Sequence, residues 1–196
     1  MFMPGESKER NIEMRSIFVS ERKTLKVRIL VTVFGIAMCV LLPQLFHLIG
    51  AASGLGASVG AAFMPMYLPV LFVGLFSGSI PGIICGIASP FISFALTGMP
   101  VPVLIPIMAA ELAVFGGAAG VLSERKMPWT VKVLVSQLLG RGMRMLFAVV
   151  SVYLLGAGET MLSQTAELLL SGLPGIALQL CVLPLIMRGL ENLKND

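Results

Sequence analysis

Three side chains in this sequence carry charge where the surrounding residues are apolar: Glu111, Arg141 and Arg144. Two guanidiniums and one carboxylate suit ion pairing and bidentate recognition of a carboxylate or phosphate. Arg141 and Arg144 are three residues apart and share a helix face, with Gln137 one turn earlier. One acid cannot satisfy two arginines fully. Glu111 therefore either locks two helices together, or leaves one guanidinium for a bound anion, or does both. Around these lie weaker candidates for a binding site. His47 and Gln44 are three apart, Gln179 stands alone in a later apolar run, and Phe63, Tyr67 and Met99 supply aromatic and thioether surface. Each has an ordinary structural reading: a solvated cap for His47, an interhelical hydrogen bond for Gln179, interfacial anchors for the aromatics. No catalytic set is present. The sequence has no P-loop, GxSxG or HExxH motif, and one histidine without a ligand cluster gives no metal site. No cofactor is expected.

The elements that must position these groups are apolar helices. Residues of the AVILMFWYC set make up 57% of the 196 residues and charged residues 12%, about half the share of a soluble domain. Mean hydropathy is +0.95. Between Ile29 and Ala110 there is no Asp, Glu, Lys or Arg, which excludes a water-facing surface over that stretch. The fold class is all-α: a polytopic membrane protein, a six-transmembrane-helix bundle with a mobile Gly/Ala-rich loop between helices 1 and 2. Spans are expected at 27–48, 64–77, 82–96, 103–122, 131–155 and 168–187. Prolines shorten the second span, and residues 50–63 (GAASGLGASVGAAF) read as a flap or shallow re-entrant segment.

Charge orients the bundle. Seven of fourteen Lys+Arg lie between Lys8 and Arg28, and others (Arg125, Lys126, Lys132, Arg188, Lys194) follow the fourth and sixth spans. The segments 50–63, 97–102 and 156–167 carry none. The positive-inside rule then puts both termini in the cytoplasm of a prokaryotic cell and accounts for the +4 net charge by the lipid bilayer, without nucleic acid. The domains expected are a cytoplasmic amphipathic arm (1–26), a transmembrane substrate-binding domain (27–190) and a cytoplasmic tail (191–196). On this topology Glu111 lies roughly 12 Å from the outer end of its helix, and the arginines roughly 15–20 Å from the inner end of theirs. Those depths overlap near mid-bilayer. Cys39, Cys85 and Cys181 all fall in apolar runs and read as core residues. Small residues four apart (Gly35 and Cys39, Gly74 and Gly78, with Gly116, Gly117 and Gly120) mark close helix approach. Gly35 and Cys39, on the first helix, are the candidate face for another subunit.

The run Leu68-Pro69-Val70-Leu71-Phe72-Val73-Gly74-Leu75-Phe76-Ser77-Gly78, followed by Gly82, Gly86, Ser89-Pro90 and Leu96-Thr97-Gly98-Met99-Pro100, resembles the substrate-binding (S) components of energy-coupling factor transporters. Glu111-Leu112-Ala113 and Gly140-Arg141 are similar to positions of the same family. The resemblance implies a six-helix binding subunit for a vitamin or related micronutrient, entering from outside under a flap. It also implies partners, namely a transmembrane coupling subunit and two cytoplasmic ATPases, which would explain the lack of a nucleotide motif. Many family members carry an Ala-xxx-Ala docking face on the first helix, and Gly35-xxx-Cys39 departs from it. The substrate-contacting set would be Arg144, Arg141, Glu111, His47, Gln44, Tyr67, Phe63, Met99 and Gln179. The alternative is a self-sufficient small secondary transporter or channel.

Overall fold

A computed structural model describes residues 4–54, 56, 58–155, 165–167 and 170–195. Seven helices organise them: α1 (Pro4–Ala52), α2 (Ser58–Phe63), α3 (Tyr67–Ser77), α4 (Ser79–Thr97), α5 (Ile105–Ser123), α6 (Trp129–Leu155) and α7 (Leu173–Asn195), with a 3-10 turn at Pro102–Leu104 before α5. No strand occurs among the described residues. The protein is an all-α, multi-pass membrane bundle. Five helical stretches are long and apolar enough to cross a bilayer: Thr24–Ala52, Ser79–Thr97, Pro102–Ser123, Trp129–Tyr153 and Leu173–Asn192.

The distribution of side chains is that of a lipid-facing bundle. Leu30, Val33, Phe34, Leu41 and Leu48 of α1, Ile80 and Ile84 of α4, Leu138 and Leu146 of α6 and Leu185 of α7 are exposed. Ser89, Glu111, Ser136, Gln137, Arg141, Arg144 and Gln179 are buried. Apolar outside and polar inside is the arrangement a hydrocarbon solvent selects.

The second expected span, 64–77, differs from the others. Its helix, α3, has only 11 residues, roughly 16 Å, about half a bilayer core. Eight of those residues are buried, so α3 is sheathed by protein instead of lipid. The chain turns directly from α3 into α4 at Gly78, whose φ of 100° and ψ of −179° are open only to glycine. α4 ends at Gly98 in the left-handed region, its N–H on the Phe94 carbonyl. The arm expected at 1–26 and the first span form one continuous helix, α1, from Pro4 to Ala52. Residues 156–164 of the loop after the fifth span lie outside the described residues.

α4 and α5 meet along a seam of glycines. A Cβ on Gly82 would strike the Gly116 carbonyl, and one on Gly116 would strike the backbone of Gly82. One turn further along, Gly86 abuts the Leu112 carbonyl and Gly120 abuts Ser79. Gly74 of α3 also packs on the Gly116 carbonyl. The three helices thus touch backbone to backbone, the small-residue packing that replaces the hydrophobic effect in lipid. This seam fixes α5, and with it Glu111, in the centre of the bundle.

At the α5–α6 end, Lys132 donates to the Ser123 carbonyl at 2.8 Å and lies 3.9 Å from the Trp129 ring centroid. Its ammonium caps the C-terminal end of α5, where the helix dipole favours a cation. Trp129 Nε1 in turn donates to Glu191 of α7 at 2.9 Å.

Candidate functional site

Glu111 projects from α5 and is wholly buried. Its Oε2 accepts from Arg144 Nη1 at 2.6 Å and from the Tyr67 hydroxyl at 2.7 Å. Arg144 Nη1 lies 3.3 Å from the Tyr67 oxygen and donates to it as well. This triangle ties α3, α5 and α6 together in a region of low dielectric, where each bond counts for more than in water. Arg141 is held differently. Its Nη1 lies 3.5 Å from Glu111 Oε1, close enough for ion pairing but without hydrogen-bond geometry. Its Nη2 donates to the Met64 thioether at 2.8 Å, a weak acceptor. Its Cζ stands 5.0 Å from the Tyr67 ring centroid and 5.7 Å from that of Phe115, and those two rings meet edge to face.

Several buried atoms in this cluster have no hydrogen-bond partner among the described residues: Arg141 Nε and Nη1, Glu111 Oε1, Gln137 Oε1 and Gln179 Nε2. Gln137 and Gln179 do meet each other, Nε2 to Oε1 at 3.0 Å, joining α6 to α7. Buried polar groups are normally satisfied. Among the described residues, Arg141 and the glutamine pair therefore form a polar interior with hydrogen-bonding capacity left over.

Beside the cluster lies a cavity of about 340 Å³. Pro43, Gln44 and His47 of α1 form one wall, Gly60 of α2 and the Met64–Tyr67 segment a second. Ser93 of α4, the Met99–Val101 connection, Leu104 and Met108 of α5 complete it, and Arg144 supplies its one charged group. The surface is overwhelmingly apolar, with three methionines beside Met99 that can adapt to a ligand's shape.

The residues expected to bind substrate therefore fall into two groups. Arg144, His47, Gln44, Tyr67 and Met99 line the cavity. Arg141 and Glu111 sit behind that wall, in contact with its members Met64, Tyr67 and Arg144. Phe63 and Gln179 do not line it. Phe63 packs against Phe46, ring centroids 5.3 Å apart, because the end of α2 is pressed onto α7, where a Cβ on Gly175 would strike the Phe63 carbonyl. Gln179 is occupied with Gln137.

The docking face expected on α1 needs correction. Gly35 and Cys39 are both buried. A Cβ on Gly35 would strike Val73, and Cys39 Sγ donates to the Met66 carbonyl at 3.4 Å. These small residues admit α3 and α4 to α1 and are closed to any partner. Cys85 is buried as expected, whereas Cys181 is exposed on α7.

The sequence reading missed Met64, Ser93, Leu104 and Met108. The signal for Met64 was its place in the Phe63-Met64-Pro65-Met66 run, where helix geometry breaks. It has φ of +44°, the one described non-glycine residue with a positive value. The chain matches no protein-family model, no curated protein and no solved structure.

Proposed function

We propose that this protein is the membrane-embedded binding subunit of an uptake system for a small, largely apolar micronutrient. The observation that carries the reading is the 340 Å³ chamber, apolar almost throughout, with a single guanidinium in its wall. Its volume lies at the lower end of small-molecule sites. At roughly 30 Å³ per water it has room for about eleven waters, and so for a ligand of roughly a dozen non-hydrogen atoms.

The helices support the same reading. His47 and Gln44 stand near one end of the apolar part of α1, next to α2 and the glycine turn of Gly54 and Gly56. With both termini cytoplasmic, that end faces outward, and α2 is the lid. The energy source is then a partner. The chain carries no nucleotide-binding motif, in keeping with the resemblance to S components, which work with a coupling subunit and two ATPases. Since Gly35 and Cys39 are turned inward, a coupling subunit would have to meet the exposed apolar faces of α1 or α4.

The deciding experiment has two arms. Native mass spectrometry of the detergent-extracted protein should reveal a bound compound released on denaturation, and the purified chain alone in liposomes should not accumulate it. Uptake by the lone chain under a proton gradient would overturn the subunit reading in favour of a secondary transporter.

A further inference from the structure

The charge count at the centre of the bundle is unequal. Arg141 and Arg144 face one carboxylate, Glu111, and no other acidic side chain reaches the cluster among the described residues. The site therefore holds one excess positive charge in a region where an uncompensated charge is costly. The two arginines do not share the deficit. Arg144 has the short bond to Glu111 and the Tyr67 oxygen. Arg141 has an off-line ion pair, a thioether, and an Nε and Nη1 without hydrogen-bond partners among the described residues, with its side chain 10% exposed. Arg141 is thus the cation in search of an anion.

What separates it from the chamber is Met64, which lines the chamber and touches Arg141 Nη2 at once. Nη2 and the neighbouring Nε form the side-on edge of a guanidinium, which a carboxylate grips with two parallel hydrogen bonds. The thioether blocks that edge with a far weaker acceptor. Met64 is also the residue in which the backbone leaves α2 with a positive φ, an arrangement that an unbranched side chain tolerates only under constraint.

We propose, building on the chamber reading above, that the ligand is a monoanion whose carboxylate, or comparable singly charged group, replaces the Met64 thioether on Arg141. Its apolar body fills the chamber, its charge neutralises the excess guanidinium, and Met64 swings away. Because Met64 directly follows α2, the swap transmits occupancy to the lid. A cation is excluded by the net charge, and a neutral isostere gains the apolar contacts alone.

The test uses the full chain in detergent with three probes of matched size: 4-phenylbutyrate, 4-phenylbutanol and 4-phenylbutylamine. By equilibrium titration, the carboxylate should bind at least about tenfold more tightly than the alcohol, the span expected for a hydrogen bond to a charged group, and the amine should not bind. Arg141→Gln leaves the Arg144–Glu111 pair intact and should abolish the preference for carboxylate over alcohol. Met64→Leu keeps the volume but removes the competing acceptor. It should strengthen carboxylate binding severalfold and leave the alcohol unchanged. Should Arg141→Gln fail to fold, the ¹³C-methyl resonance of Met64, assigned by its loss in Met64→Leu, gives an independent readout. It should shift much further with the carboxylate, which displaces the thioether, than with the alcohol, which only packs beside it. Equal affinity for carboxylate and alcohol, or an unmoved Met64 methyl, would overturn the anion exchange while the apolar chamber stands. If none of the three probes binds, both the chamber reading and this inference fall.

Discussion

Two regions of this bundle obey opposite packing rules. Along the α4–α5 seam, Gly82, Gly86, Gly116 and Gly120 bring main chain against main chain, so that a single added carbon meets a carbonyl or an amide. Around Met64, Tyr67 and Arg141 the packing is loose: a void, a positive φ, and polar atoms without partners among the described residues. The seam has no room for an added side chain and no space to move. The chamber has both. The contrast teaches how a small membrane protein without a soluble core divides its labour: rigidity comes from glycine contacts and adaptability from methionine and unspent hydrogen-bonding capacity.

The sharpest way to break the comparison is at the seam itself. Gly116→Leu drives a branched side chain into the Gly82 backbone and should cost more than about 5 kcal/mol, read as loss of monodisperse protein after detergent extraction. A well-behaved Gly116→Leu protein would show that the seam yields. Next in size is Glu111→Ala. It leaves two guanidiniums without their counter-ion and should destabilise by about 3–5 kcal/mol in thermal or denaturant unfolding. Tyr67→Phe removes one donor from Glu111 and one acceptor from Arg144. A loss of about 1.5–3 kcal/mol is expected, as for other bonds to charged groups.

The finest test compares two glycines a single residue apart on α6. A Cβ on Gly140 would run into the Phe115 ring, whereas one on Gly142 meets nothing within 4 Å. Gly140→Ala should therefore cost about 1–3 kcal/mol. Gly142→Ala should gain about 0.5–1 kcal/mol from helix propensity alone. Melting both variants beside the parent would show whether steric contact, and not glycine content, sets the rigidity.

How much of this was legible beforehand depended on the kind of signal. Hydropathy and the long uncharged stretch gave the membrane bundle. Counting along helices put Glu111 and the two arginines at one depth, and the structure brings them together. Gly74 of α3 and the glycines of α5 were readable as close-contact positions, whereas Gly82 and Gly86 of α4 were not singled out as such. Gly35 and Cys39 were readable in the same way, yet the partner assigned to them was wrong, because a small residue reports that a helix comes near without saying which one. Phe63 was placed at the mouth by sequence position but turned to Phe46, and Gln179, readable as a pocket donor or as an interhelical hydrogen bond, is the latter. Met64 stood out from the other methionines only by the proline that follows it, since its importance lies in a backbone angle and a contact 77 residues away.

By itself the sequence determined helix class, lipid exposure and the approximate depth of each polar group, because these follow from residue type and from the fixed rise per residue. Only the tertiary structure decided azimuth. In water an apolar stripe tells a helix which way to face, but in lipid both faces are apolar, so side-chain direction is settled by which backbones fit together. That choice bound Glu111 to Arg144, left Arg141 against a thioether, and opened the chamber between α1, α3 and α5.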